Sequence, residues 1–508
     1  MGHARRLAVL AGCCVAGLGA VAPAAGSAAA TARGPSVAGA LQQLWRAGEI
    51  SEALYKQDGA TFTGAERSLS KLRGTRQKEL GAVLANVRAI AAAGELSASR
   101  LGALFLTLER NWSYWTTQPL PSNGQRLTFP PSKLVWEYYD GQGLEIQWLA
   151  TFGAANGYYL AGNENANLHQ LLGEVIPLAT KRAGGIAWEY MFRFDGGSPP
   201  WTSGLSQGTA LQVLARAWSR FKEGALLTAA QQALGIFETA PANGVRVKTT
   251  AGATYAEYSY APNDHILNGF IQALVGLYDY TSLTKDPLGL QLFEEGDAEA
   301  RAEVPHYNTG AWSMYDQFGE SNLNYHELLT EFLQHLCERT SKGPPLSIVA
   351  APVPTSPPTT NGNGGTGAVS GASGASTASV QRRAPAHSAS APAPIPGDAI
   401  YCTTAQQFSA DLHTPPQIAL LSTTLPTSAR AGVQLSLSKI SSVSLTIRKG
   451  ARVVWTNRAT VERGKPRVLW VTPSAAGAYS VTLVATDLAG NFASASGTIM
   501  LAKGAKPH

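Results

Sequence analysis

Apolar positions between residues 36 and 115 recur every three or four residues. In "LGAVLANVRAI" the stripe is Leu80, Val83, Leu84, Val87 and Ile90, the spacing of an amphipathic helix. A helical N-terminal segment is therefore expected over 36–115. Residues 116–141 are proline-rich and read as extended, with a strand expected at Leu134–Tyr138. From about 143 to 341 helical stripes follow one another in pairs. "LEIQWLATFGAANGYYLAG" and "NANLHQLLGEVIPLATKRA" form the first pair, and "TSGLSQGTALQVLARAWSRF" and "LLTAAQQALGIFETA" the second. "APNDHILNGFIQALVGLYDYTSL" and "LGLQLFEEGDAEARAEV" form a third, and "NYHELLTEFLQHLCERT" begins a fourth. Leu211, Leu214, Trp218 and Phe221 make one apolar face. Between the second and third pairs, "GVRVKTTAGATYAEYSY" reads as a β-hairpin turning near Ala251-Gly252. Helical hairpins in series predict an α/α toroid over 116–341, with an irregular helical bundle as the alternative.

The pattern then changes. Residues 343–397 are a Pro/Gly/Ser/Ala/Thr linker too poor in apolar residues to form a core. Over 415–503 the period becomes two, in "VSLTIRKGARVVW", "PRVLWVT" and "YSVTLVATDLAGNFASASGTI". This stretch resembles a bacterial Ig-like β-sandwich, with "ATDLAGN" as its strand–turn ending, and spacer or weak adhesion is its default role. The expected fold class is thus multidomain: a mainly α catalytic toroid and a C-terminal all-β Ig-like sandwich.

Composition narrows the setting. The chain has 508 residues, of which 15% are charged, below the usual 25% or so. Net charge is +6 and no Lys/Arg-rich block appears, so an anionic partner is favoured and a nucleic-acid module is not. "MGHARR", "LAVLAGCCVAGLGAVA" and "APAAGSAAA" read as the parts of a signal peptide over 1–30. Secretion is expected, with a lipid anchor at Cys13 in "LAGC" as the alternative. No later stretch is long and apolar enough to span a bilayer. Cys13 and Cys14 fall in the signal. Cys337 and Cys402 either pair in one disulfide, or Cys337 is a small buried hydrophobe.

In a toroid every second helix starts at the same end. The connections Gly196–Ser203, Tyr255–Asp264 and Val304–Asn324 would then share a rim. They hold Trp201, Glu257, Tyr258, Tyr260, His306, Tyr307, Tyr315 and Asp316, and Tyr325 follows directly. Such a rim offers phenols, carboxylates and an exposed indole, with helix N-termini that favour an anionic ligand.

"PPWTSGLSQGTALQVLARAW", "YAEYSYAPNDHILNGFIQALVGLYD" and "VPHYNTGAWSMYDQF…NYHELL" together resemble the C-terminal catalytic domain of D-glucuronyl C5-epimerase, over about 185–341. The resemblance implies conversion of D-glucuronate to L-iduronate within an acidic, heparosan-like polysaccharide. The family's catalytic tyrosines match Tyr258, Tyr315 and Tyr325, and its glutamate matches Glu257. Trp201, Gln207, Asn268, Tyr307 and Arg193 are the expected substrate-binding residues. No cofactor is required and no metal ligands are assigned, although the family allows a structural calcium.

The chemistry fits phenols. Removing a proton α to a carboxylate builds charge on the carboxylate oxygens, and something cationic or hydrogen-donating must hold it. Arg182, Arg193 and Arg246 are candidates for that task. Two groups on opposite faces must exchange the roles of base and acid. A phenolic base would need a lowered pKa, because its ordinary value is near 10. Glu257 and Tyr258 would face opposite sides of a regular strand, so both can line one site only if the hairpin bends there. This chain differs from the animal enzymes in a shorter Tyr315–Tyr325 segment and in "HELLTE" after the last tyrosine. The family's β-rich N-terminal domain has no match in the helical 36–115 region. A polysaccharide lyase, or a non-catalytic glycan-binding protein, is the rival function. Nothing beyond Tyr325 matches the site, so residues 343–508 are expected to be dispensable for catalysis.

Overall fold

The computed structural model describes residues 34–347 and 399–503. The expected signal peptide and most of the expected linker lie outside those residues.

The chain opens with α1 Val37–Arg46, α2 Glu52–Leu69, α3 Gly74–Ala92 and α4 Ala98–Thr117. Ser36 and Ser51 start the first two by accepting from the Gly39 and Leu54 amides. The Leu80–Ile90 stripe of α3 is buried as its spacing requires. A three-stranded antiparallel sheet follows, built from β1 Arg126–Leu127, β2 Trp136–Tyr139 and β3 Gly143–Ile146. The strand expected at Leu134 thus begins two residues later.

Helical pairs come next: α5 Trp148–Ala161 and α6 Asn165–Val175, then the hairpin β4 Thr180–Arg182 and β5 Gly185–Ala187. They continue with α7 Gly204–Phe221, α8 Gly224–Ala233 and the short α9 Gly235–Glu238. The hairpin β6 Arg246–Lys248 and β7 Ala253–Tyr255 precedes α10 Leu267–Thr284 and α11 Pro287–Glu303. Last come α12 Leu323–Thr340 and α13 Ala399–Asp411. Helices α5, α7, α10 and α12 pack in a row, each against its own second helix, α6, α8, α11 and α13. Glycine sets the closest crossing in that row. A Cβ on Gly276 of α10 would lie 2.1 Å from the Gly208 carbonyl oxygen of α7.

The partner of α12 is the main departure from expectation. It comes from residues 399–411, beyond the linker, and not from the segment ending at 341. Tyr401 and Phe408 of α13 are buried in the same core as Leu329 and Leu333 of α12. Cys337 and Cys402 join the two helices in a disulfide across a sequence separation of 65. In the loop-entropy picture a closure of this length contributes about 4 kcal/mol. The helical unit therefore needs a piece of the region expected to be dispensable.

Residues 418–502 form eight strands: β8 Ile418–Leu420, β9 Thr424–Pro426, β10 Arg430–Leu437, β11 Ser441–Lys449, β12 Arg452–Val461, β13 Arg467–Val471, β14 Gly477–Asp487 and β15 Phe492–Ala502. They make two sheets, ordered β13-β10-β8 and β12-β11-β14-β15-β9. Leu435 and Trp470 of the smaller sheet share one core with Leu445, Leu483 and Ile499 of the larger. The period-two pattern is met in β11, where Val443, Leu445 and Ile447 point inward. The chain is thus multidomain, helical first and β-rich at its end.

Candidate active site

The three connections expected on one rim are hydrogen-bonded to one another in order. The Ser259 amide donates to the Thr202 carbonyl at 2.9 Å, which joins the first to the second. The Tyr307 phenol donates to the His265 carbonyl at 2.6 Å, and Gln317 Nε2 donates to the Asn263 carbonyl at 2.7 Å. The second is thereby tied to the third.

Strand β7 ends at Tyr255, and the backbone bends through Glu257 and Tyr258. That bend lets both side chains line one pocket. The pocket is a narrow cleft of about 50 Å³ that opens to solvent. Its wall is aromatic. Trp201 stacks on Tyr190 at 4.3 Å and meets Tyr258 edge-on at 5.7 Å. Tyr258 in turn stacks on Tyr260 at 5.4 Å. Tyr139, Phe192 and Phe194 complete this wall, together with Gln147. Sequence reasoning missed them. Their signal was the aromatic alternation in "WEYY" (136–139) and "WEYMFRF" (188–194), which reads equally well as core.

Glu257 is buried against the first turn of α10. A Cβ on Gly269 would lie 2.4 Å from its Oε2, so the glycine after Asn268 makes the space for the carboxyl. Burial raises the Glu257 pKa to about 8, opposed by its hydrogen bond to Tyr258 and aided by the charge of Asp264. Tyr258 is pushed well above the usual phenol range by burial, then by Glu257, Tyr315 and Tyr325. The expectation of a lowered phenol pKa is therefore corrected: with so little solvation and a carboxyl beside it, this phenol keeps its proton. Tyr315 and Tyr325 pack together at 4.5 Å and sit close enough for their charges to act on Tyr258. Asn322 caps α12 by accepting from the Tyr325 amide at 3.0 Å, and the Tyr315 carbonyl accepts from the first amide of α10.

Of the expected substrate-binding residues, Trp201 lines the pocket but is buried, not exposed, because its Nε1 donates to the Phe192 carbonyl. Gln207 is fully buried and does not line the pocket, since its amide is engaged with the Trp188 backbone. Tyr307 is buried with its hydroxyl used by His265, a packing role. Asn268 is buried, and neither amide atom has a partner among the described residues. Arg182 is taken by Glu189 and Arg246 by Glu295. Arg193 stays exposed, and no ion pair engages it among the described residues. No group of three or more His, Cys, Asp or Glu gathers to hold a metal among the described residues, so the chain offers no such set for calcium there. No described helix is long and apolar enough to cross a membrane.

His326, which follows Tyr325, was not singled out from the sequence. It is fully buried, stacked on Trp312 at 3.7 Å. Its Nδ1 accepts from the Ser313 amide at 3.1 Å and its Nε2 donates to the Phe408 carbonyl at 2.9 Å. One acceptor and one donor fix a neutral tautomer, and burial lowers the pKa to about 4. One imidazole thus links α13 to the connection that carries Tyr315.

The raised pKa of Glu257 has a stability consequence. The folded state holds this proton more tightly than the unfolded chain does. The resulting stabilisation is complete below the ordinary 4.5 and is lost as pH rises toward about 8. Glu257→Gln should therefore gain on the wild type across that window, by on the order of a few kcal/mol. Melting temperatures taken against pH check this, and parallel curves would contradict it.

Comparison with known proteins agrees with the geometry. Residues 183–347 match the family profile described as the D-glucuronyl C5-epimerase C-terminus. A D-glucuronyl C5-epimerase of Caenorhabditis elegans is 31% identical over 131 residues, 23% of this chain and 21% of that protein. An uncharacterized protein of Methanocaldococcus jannaschii is 28% identical over 151 residues, 28% of this chain and 49% of that one. The chain thus spans between a fifth and a half of the length of these curated relatives. Residues 183–347 of this chain are thus similar to the C-terminal region of D-glucuronyl C5-epimerases.

Proposed function

We propose that this protein epimerises C5 of D-glucuronate residues in an acidic polysaccharide, without a cofactor, from a secreted or cell-surface location. The row of helical hairpins is read as an α/α toroid, and the β unit as an Ig-like module. One observation carries the proposal. A buried carboxyl–phenol pair, Glu257 and Tyr258, faces an aromatic pocket, and a second phenol pair, Tyr315 and Tyr325, comes from the next connection.

Two phenol sources from adjacent connections suit a reaction at two faces of one ring. Glu257, near pH 8, is the acceptor that an elevated phenol needs. As the C5–H bond breaks, its electron pair moves into the substrate carboxyl and its proton passes to the Tyr258 oxygen. The phenol's own proton moves to Glu257. Tyr315 then donates its proton to the opposite face of C5 and is reprotonated from solvent, while Glu257 releases its proton to solvent and returns to the carboxylate. In the reverse direction the roles exchange. Arg193 and the amide of Asn268 hold the substrate carboxylate. Because Glu257 must begin ionised, kcat/KM should rise with pH through about 8, and Glu257→Gln should flatten that limb.

A lyase shares the first step but then expels the C4 substituent. The test incubates the protein with a heparosan-like polymer and follows chain length together with the ultraviolet absorbance of unsaturated uronate. Unchanged length and absorbance are expected, and cleavage with rising absorbance would make the enzyme a lyase.

A further inference from the structure

Charge is divided unevenly along this chain. Residues 34–347 hold 24 Lys and Arg against 30 Asp and Glu, whereas 399–503 hold ten against three. The part that bears the candidate active site is net acidic, the wrong sign for gathering a polyanion. The C-terminal part is net basic. Burial sharpens the contrast. Asp411 and Asp487 are buried with Lys439, whose Nζ lies 3.0 Å from Asp487. Nine exposed cations and one exposed acid, Glu462, remain. Among the described residues Arg463 alone of the nine has a carboxylate partner. A merely solvated face would mix the two signs.

The placement of these cations has a direction. The register of β11 with β12 shifts between Ile447 and Arg448, a bulge that reverses the alternation, so Arg458 shares its face with Arg448 of β11 and not with Arg452. Exposure agrees, with Arg448 of β11 and Val453, Thr456, Arg458 and Thr460 of β12 outward. Ser444 lies opposite Arg458 in the register, four residues from Arg448, which places the two arginines about 13 Å apart along the sheet. Strand β12 is the edge of its sheet, so a ligand can approach from the side. Beyond it come Arg463 and Lys465. Arg463 Nε lies 2.7 Å from Glu320, in the connection that carries Tyr315. The cationic row therefore crosses the outer face of β11 and β12 and ends at the tyrosine loop.

We propose that this row is a second binding site, a docking strip on the β unit for an anionic polysaccharide, which it delivers to the tyrosine loop. The identity of the polymer as a uronate chain rests on the epimerase reading. Carboxylates along the polymer meet the arginines at the surface, where attraction is strong at low ionic strength and screened beyond about 8 Å in physiological salt.

The test uses the full chain and the triple variant Arg448→Ser, Arg458→Ser, Lys465→Ser. Affinity for unsulfated N-acetylheparosan is measured by titration at about 20 and about 500 mM NaCl, with neutral dextran and duplex DNA as controls. The variant should bind the polymer at least about tenfold more weakly at low salt. Its kcat/KM on a uronate tetrasaccharide and its melting temperature should equal those of the wild type. Wild-type affinity in the variant, or polymer binding indifferent to salt, would overturn the strip. DNA binding as tight as polymer binding would also overturn it. Salt-sensitive heparosan binding through these residues with no exchange at C5 would sink the epimerase reading and leave the strip standing. Exchange with unaltered binding in the variant would do the reverse.

Discussion

Tyr258→Phe should lower epimerisation by about 10²–10⁴-fold, the usual weight of a general acid–base group. Tyr315→Phe should do the same. Each substitution keeps the ring and removes one oxygen. The contacts of Tyr258 with Trp201 and Tyr260 are ring contacts and survive it. Melting temperatures should therefore change little while turnover collapses. Tyr307→Phe separates the two effects. Its hydroxyl is spent on the His265 carbonyl, so the variant should lose about 1 kcal/mol of stability and only part of its activity. Near-wild-type turnover in both Tyr258→Phe and Tyr315→Phe would remove the proposed acid–base pair.

A chain ending at Lys342 should fail to hold the active site. It loses Tyr401 and Phe408, both fully buried against α12, and the Cys337–Cys402 disulfide. Burying each aromatic side chain contributes roughly 1.5–3 kcal/mol. With the disulfide, the loss rivals the typical domain margin of about 5–15 kcal/mol. His326 would also lose the Phe408 carbonyl, and with it the fixed tautomer that holds the Ser313 amide. We expect a melting temperature lower by more than about 10 °C, or no cooperative transition. Activity per molecule should fall by about two orders of magnitude or more. Joining residues 399–414 to that chain should restore both. A stable, active chain ending at Lys342 would show that α13 is ornamental.

The parts of this fold legible in the sequence were those written in local periodicity. The α3 stripe, the paired helices and the alternation of β11 each depend on neighbours in sequence, and each is found near where its period places it, except that the "LEI" read as the start of the first pair is strand β3. The helix α13 was not legible in this way. Its apolar positions are few, it follows a linker-like stretch, and its partner α12 lies about sixty residues upstream. The tyrosines and Glu257 stood out because phenols and carboxylates in a glycine-broken connection lack a packing reason. Gln207 and Tyr307 carried the same polar signal, yet each satisfies a backbone group. Sequence does not separate a polar side chain turned toward backbone from one turned toward a cavity. The direction of the Tyr258 pKa was missed for a similar reason. It depends on how much water the folded site excludes and on how close Glu257 lies, and both are tertiary facts.

The central claim is reversible proton removal at C5 of a uronate within an intact polymer. The most direct measurement is incubation of the full chain with a heparosan-like polymer in deuterated water, read by NMR at C5. The account predicts that deuterium enters C5, that L-iduronate signals appear, and that Tyr258→Phe suppresses both. A C5 proton that stays unexchanged across several uronate polymers, with folded protein present throughout, would contradict it.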